Sequence, residues 1–525
     1  MREFGCKMLS IRSSARPWLL LLLAMFCSVS FYGQSGPVET HYNLGIKALE
    51  SGDLEGAEQQ FRAALKLRPD FVEARQNLAI ALAQKGDLKG AAAELQKVVG
   101  QRPESSAAHY NLGLVLFQEK DNSSALKQFR KALELKPDYP EARNNLGLLL
   151  EQAGNFKGAI SEFQAIIGLH PQYAEARNNW GHVLAHNGDL DGAIAQYRYA
   201  LGIRPAFPEA HENLGLALWK KHDLDAAALE FRTAASLGIP EAQANLGTVL
   251  GEEGNLDAAI AAHRAAVRLL PQDAEAHYLL GGGLQQKGDL SAAIPELQEA
   301  IRIDPNLVAA HLHLGVVLRQ QGDLAGATTE LQTAARLDPD NAEAHYQLGF
   351  ALRKKGELTE AETELRRATL LDPKSTAAYY DLGQTLQRLG RHDEARAAFA
   401  EVEKLQRADA NFAQANTQYN LGLQALEKGD LRSARDAFQA ALVVKPDFAE
   451  AHTNLGGVLL KLGEAESAIG HFQAAIDLKP DDARAYYNLA LALEKKGDQR
   501  AARDALHRAV ELDPRLAGPQ SEVHP

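Results

Sequence analysis

Apolar residues along most of this chain fall three and four positions apart, with polar residues between them. Ala142, Leu146, Leu149 and Leu150 share one side of a helical wheel, and Ala159, Phe163 and Ile166 follow at i, i+4 and i+7. Gly154-Asn155 stands between these runs. Glycine reaches the left-handed conformation that ends a helix, and Asn or Asp accepts hydrogen bonds from the free N–H groups of the next one. The pattern therefore predicts two helices and a tight turn, closed by Pro171 where a helix cannot continue.

The unit returns down the chain. Aligned on Gly147, a small residue stands at 45, 79, 113, 147, 181, 215, 247, 281, 315, 349, 383, 422, 456 and 490. It is Gly except at Ala79 and Ala490, and the steps are 34 residues except for 32 after Gly215 and 39 after Gly383. Twelve residues beyond each marker stands Ala, from Ala57 and Ala91 to Ala468 and Ala502. The turn glycine occurs in twelve units, and Asp or Asn follows the turn position in eleven. The small marker and the Ala let the two helices of a unit approach closely. Leu at either would splay them, at about 1–3 kcal/mol for overpacking.

A 34-residue helix-turn-helix carrying these residues resembles the tetratricopeptide repeat (TPR) family over residues 38–516. The resemblance implies an all-α, right-handed superhelical solenoid of about fourteen repeats, each burying its apolar face against its neighbours, with a concave groove lined by the first helices. The Trp usual in the family's first helix is replaced here mostly by His, Arg or Tyr. On this reading 38–414 hold repeats 1–11, 415–516 hold repeats 12–14, 34–37 form a short linker and 517–525 a flexible tail. The short step near 238–240 is expected to change the local twist. The absence of Gly and Pro from Arg391 to Leu421 predicts a lengthened helix near 391–414. Gly281-Gly282-Gly283 marks an expected soft spot, since each Gly costs about 1 kcal/mol in a helix. No further helix is expected after Pro514, so the last pair should expose one side or meet a partner.

Residues 1–33 differ in kind. Arg2, Lys7, Arg12 and Arg16 precede an apolar run from Trp18 to Phe26, with Ser28 and Ser30 after it. This is the layout of a secretory signal peptide, or of an uncleaved anchor. It implies an exported protein, periplasmic or extracellular, reaching a membrane only through such an anchor. Both cysteines, Cys6 and Cys27, lie in this leader, so the remainder offers no disulfide, thiol nucleophile or Cys-based metal site. The net charge of −12 becomes −15 without the leader, 52 basic against 67 acidic residues. That balance argues against nucleic acid as a partner.

Asn stands two before the marker in ten repeats: Asn43, Asn77, Asn111, Asn145, Asn179, Asn213, Asn245, Asn420, Asn454 and Asn488. In the family's geometry this position faces the groove. The row is similar to the ladder in the superhelix of the protein O-linked N-acetylglucosamine transferases, where it holds extended chains. A carboxamide both donates and accepts, so it suits a peptide backbone whatever its side chains. The other reading is ordinary repeat solvation. Leu279, His313, Gln347 and Asp381 interrupt the row. Phe117 and Trp219 share the groove phase and are candidate anchors for apolar side chains, whereas Trp180 is expected in the core. No counterpart of the transferases' catalytic domain is expected, so their activity is not expected to carry over. The family's carboxylate clamp is missing too, its lysine positions holding Tyr42, Gln76, Tyr110 and Asn144. His41, His109, His211, His277, His311, His345 and His452 share one phase a repeat or more apart, too far to converge on a metal, and are expected to pack. No H-E-x-x-H, G-x-S-x-G or P-loop occurs. The expectation is a non-enzymatic scaffold without cofactor or metal, binding extended peptides of other proteins in the groove. The alternative is a structural subunit of a cell-envelope or polysaccharide-export assembly, docking through its convex face or C-terminal repeats.

Overall fold

The computed structural model describes residues 36–516. The leader, with its signal or anchor reading, and the tail lie outside the described residues. Those described form 27 α-helices and one short 3-10 turn, Pro514–Leu516, with no strand among them. The fold is an all-α repeat solenoid, in which consecutive helices pack against one another from Pro37–Glu50 to Leu290–Ile303 and again from Leu324–Leu337 to Gln499–Leu512.

Two compact units divide the chain at Val317 and Leu318, inside helix Val308–Gln321. In the first unit, helix Pro140–Gln152 and helix Phe156–Leu169 form a typical repeat. Ala142, Leu146 and Leu149 of one meet Ala159, Phe163 and Ile166 of the other in one buried cluster. The Ala twelve residues after the marker is buried in all fourteen repeats. The marker glycine faces the side chain sixteen residues further on. A Cβ on Gly147 would lie 2.7 Å from Phe163 Cε1, and one on Gly113 would lie 2.7 Å from Phe129 Cε1. The ring fills the space that a side chain on the marker would need.

The turns obey one rule. All fourteen pass through a left-handed residue: glycine in twelve, Lys120 (φ 66°) and His222 (φ 60°) in the others. In ten of them the side chain of the next residue caps the second helix. Asp53 Oδ1, for instance, accepts from Gly56 N at 2.9 Å, and Asn155 Oδ1 from Gly158 N at 3.0 Å.

Irregular steps leave visible marks. After the short step, Gly238 turns at φ +100° and helix Ala242–Glu252 has 11 residues, against 13 or 14 in the other separate first helices. Gly281 and Gly283 sit in an unbroken helix, Ala274–Lys287. A Cβ there would meet Leu297 at 2.7 Å and Ile260 at 3.3 Å respectively, so close packing accounts for both. In the second unit the long step is one 36-residue helix, His392–Glu427, which merges the second helix of repeat 11 with the first of repeat 12. Residue 414, where the sequence reading divides the repeats, lies inside it, and residues 406–414 are exposed on every side.

Candidate peptide-binding face

The first helices of successive repeats are joined by the asparagines the sequence singles out. Asn77 Nδ2 donates to Tyr42 Oη at 3.1 Å, and Asn145 Nδ2 to Tyr110 Oη at 3.2 Å. Asn179 Nδ2 donates to Asn144 Oδ1 at 2.9 Å, and Asn213 Nδ2 to Asn178 Oδ1 at 3.1 Å. In the second unit Asn454 Nδ2 donates to Tyr419 Oη at 2.8 Å. Each bridge spans 35 residues, reaching the residue before the equivalent Asn position of the preceding repeat.

These amides are therefore mostly interior. Asn77, Asn145, Asn179, Asn213 and Asn245 are buried, with Asn145, Asn179 and Asn213 at 0% exposure. Asn43, Asn111, Asn454 and Asn488 are half-buried, and Asn420 is exposed. Where the sequence reading sets the whole row facing a groove, the structure uses at least half of it to tie first helices together. A buried amide needs partners, and the preceding repeat supplies an oxygen at hydrogen-bonding distance. The 32-residue step breaks the rule: 35 residues before Asn245 stands Ala210, and Asn245 Nδ2 is buried without a hydrogen-bond partner.

Two interruptions of the row keep the contact with other chemistry. The His313 ring meets Tyr278 edge-on at 5.1 Å, and Tyr346 Oη donates to Asp381 Oδ2 at 3.3 Å. Phe117 is half-buried against the core of its unit. Trp219 is half-buried with its indole N–H donated to Glu252 Oε2 at 2.9 Å, on the next first helix. Trp180 is only partly buried, and its Nε1 has no hydrogen-bond partner.

The phased histidines are hydrogen-bonding residues rather than packing ones. His109 Nδ1 lies 2.7 Å from Gln128 Oε1 and its Nε2 3.0 Å from the Pro103 carbonyl. His211 repeats this with Glu230 (2.5 Å) and Pro205 (2.9 Å), and His345 with Glu364 (2.6 Å) and Pro339 (3.1 Å). Arg75 with Glu94 and Arg143 with Glu162 occupy the same phase. The place of the family's Trp is thus a polar clasp between the first helix, the second and the loop entering the repeat. The signal available in the sequence was the Gln or Glu nineteen residues downstream. Burial pulls the His211 pKa down, but the bonds to Glu230 and the Pro205 carbonyl outweigh it and raise it.

The family profile described as a tetratricopeptide repeat matches residues 42–106, 90–140, 110–174, 244–308, 346–411, 419–483 and 458–517. A second, described as a TPR repeat, matches 181–221 and 317–356. The chain belongs to the tetratricopeptide repeat family. As in other TPR proteins, the repeats make it an interaction scaffold for proteins. No curated protein matches the chain. Among solved structures it is similar to the APC/C hetero-tetramer Cut9-Hcn1 at 18% identity, covering 94% of this chain and 95% of that one, with a TM-score of 0.39. It is also similar to MamA from Desulfovibrio magneticus RS-1 (24%, 32% and 96%, TM-score 0.31). A TPR protein from Parabacteroides merdae gives 16%, 54% and 99%, with a TM-score of 0.39. These are likenesses of fold alone.

Proposed function

We propose that this TPR protein is a non-enzymatic scaffold that holds extended peptide segments of other proteins along the face of its first helices. The observation that carries this reading is the set of buried 35-residue bridges. They fix neighbouring first helices to one another before any ligand arrives, so little ordering is left to oppose binding. Asn43 and Asn111 remain half-buried for main-chain contact, and Phe117 and Trp219 for apolar side chains. The leader's composition supports export to a periplasmic or extracellular setting.

A second reading, docking into an envelope or export assembly through the second helices, is favoured by Val443. This apolar residue is 82% exposed on helix Leu431–Val444. The two readings separate by photo-crosslinking with benzoylphenylalanine in an extract of the source cells. Crosslinks to partner polypeptides from positions 117 and 219, but not from 169 and 443, are the expected result. Crosslinks only from 169 and 443 would sink the first reading in favour of the second.

A further inference from the structure

In the second unit the first-helix face changes its chemistry. The residue four after the marker is Leu49, Ala83, Phe117, Glu151, Ala185, Trp219, Gly251 and Gln285 in repeats 1–8, but Arg319 and Arg353 in repeats 9 and 10. The next position supplies Lys354 and Arg388 in repeats 10 and 11. Three of these four cations lie around one ring, and the fourth, Arg388, bonds to the backbone of one of them. Arg319 Cζ is 4.7 Å from the centroid of Phe350, Arg353 Cζ 5.1 Å and Lys354 Nζ 5.5 Å. Arg388 Nη1 donates to the Arg353 carbonyl at 3.0 Å.

Among the described residues only one of the four is in an ion pair, although the Asp381 carboxylate also acts at longer range on Lys354 and Arg319. Arg353 is buried and paired with Asp381 at 2.6 Å, and it also donates to Gln384 Oε1 at 2.9 Å. Burial pushes the Asp381 carboxyl up, against the pull of Arg353. Arg319 donates to Gln347 Oε1 at 3.2 Å, and its Nε is buried without a partner. The carboxylates with electrostatic reach of Arg319 are Glu343 and Asp381, neither in an ion pair with it, and burial lowers its pKa. Lys354 and Arg388 are exposed and make no ion pair among the described residues. Some surface arginines of the unit are matched, as Arg366 and Arg391 are by Glu362 and Glu394. Arg319 and Lys354 stand unmatched beside one ring, with Arg388 on the next first helix, and a carboxylate placed among them relieves their mutual repulsion.

We propose that Arg319, Phe350, Lys354 and Arg388 form a recognition site for an acidic, extended peptide segment, with Arg353 held in place behind them by Asp381. This rests on the peptide-scaffold reading above and names the chemistry of its ligand for repeats 9–11. Three consecutive repeats contribute the free cations, and neighbouring helices stand roughly 10 Å apart. An extended chain advances about 3.3 Å per residue. Carboxylates near every third residue therefore match the site. It takes an internal acidic run, because the free cations come from three consecutive repeats.

The test is fluorescence anisotropy with the full chain and a labelled peptide, acetylated and amidated, carrying Glu at every third position among Gly and Ser. Its counterpart carries Gln in place of Glu. Binding of the Glu peptide at least tenfold tighter than the Gln peptide, and weakening as salt rises from 0.05 to 0.5 M, is expected. The exposed-residue variant Lys354→Glu/Arg388→Glu should lose at least tenfold, while Arg407→Glu, on the exposed stretch of the long helix, should bind as wild type. Equal affinity for both peptides, no measurable binding, or an unchanged double variant overturns the proposal. Tighter binding of a single-stranded oligonucleotide than of the Glu peptide overturns it as well. If it fails while crosslinks from positions 117 and 219 persist, the acidic specificity is wrong and the peptide-scaffold reading stands. If those crosslinks fail too, both fall.

Discussion

His263 occupies the place that Phe61, Phe129, Phe163 and Phe231 hold in other repeats of its unit, directly under the marker Gly247. A Cβ on Gly247 would lie 2.5 Å from the imidazole Cε1, the same close approach that Gly147 makes to the Phe163 ring. The imidazole is 5% exposed, and its Nδ1 has no hydrogen-bond partner. Burial pushes its pKa down to about 4 from an ordinary 6.5. The folded state therefore binds fewer protons than the unfolded state between these values. The neutral imidazole's contribution is intact above pH 6.5 and is lost as pH falls through the window from 6.5 to 4. At 1.36 kcal/mol per pKa unit the loss approaches roughly 3 kcal/mol. His263→Phe removes both the proton linkage and the unmet polar atom, whose burial costs about 1–3 kcal/mol. The variant should be more stable by about 1–2 kcal/mol at pH 7 and by a larger margin near pH 4. A solenoid need not unfold in one step. The readout is accordingly hydrogen-exchange protection in helices Ala242–Glu252 and Leu256–Leu269, compared at pH 7 and pH 4.5. His313, whose pKa burial also lowers to about 4, lies on another helix and supplies an internal reference. Wild-type protection that stays flat across the window, with no gain in the variant at pH 7, would refute the reasoning.

Gly147→Ala should destabilise repeat 4 by about 1–2 kcal/mol, because overpacking against Phe163 at 2.7 Å exceeds the gain in helix propensity. Adding Phe163→Leu should recover part of that loss, reproducing the Ala79 and Leu95 pair of repeat 2; strictly additive urea-unfolding energies would contradict it. His222→Gly should stabilise by about 0.5–1 kcal/mol by relieving a left-handed turn, and a lower melting temperature would count against it. Asn145→Ala should cost about 1–3 kcal/mol in stability, since it strands the buried Tyr110 hydroxyl; an unchanged urea midpoint would show that the bridge contributes nothing.

The repeat was legible because the residues that define it are steric. Gly147, Ala159 and Phe163 recur since only small residues fit where two helices meet against a ring, and that requirement leaves one spelling in the sequence. The fate of the asparagines was harder to read. Asn145 is polar, and on one repeat alone a polar residue on a first helix suggests solvent or ligand. Its burial depends on an oxygen from the previous repeat, and only comparison of positions 35 apart (Tyr110 with Asn145, Asn144 with Asn179) makes that visible. The histidine clasp likewise lies in pairs nineteen apart. The cluster around Phe350 was out of reach for a further reason: Arg319, Lys354 and Arg388 come from three different repeats, and spacing alone does not say which cations find carboxylates.

The carboxamides of Asn145, Asn179 and Asn213 each reach back to an oxygen carried one position earlier in the preceding unit, so a unit such as repeat 4 or 5 brings both halves of the connection with it. Between residues 45 and 215 such a unit can be copied or excised whole, and its new neighbours close the same bond without compensating substitutions. Lengthening by tandem duplication then requires no newly evolved interface. The 32- and 39-residue steps mark where that freedom ended: Asn245 looks back to Ala210 and Asn420 to Thr385, and the register that would let one module follow any other is gone.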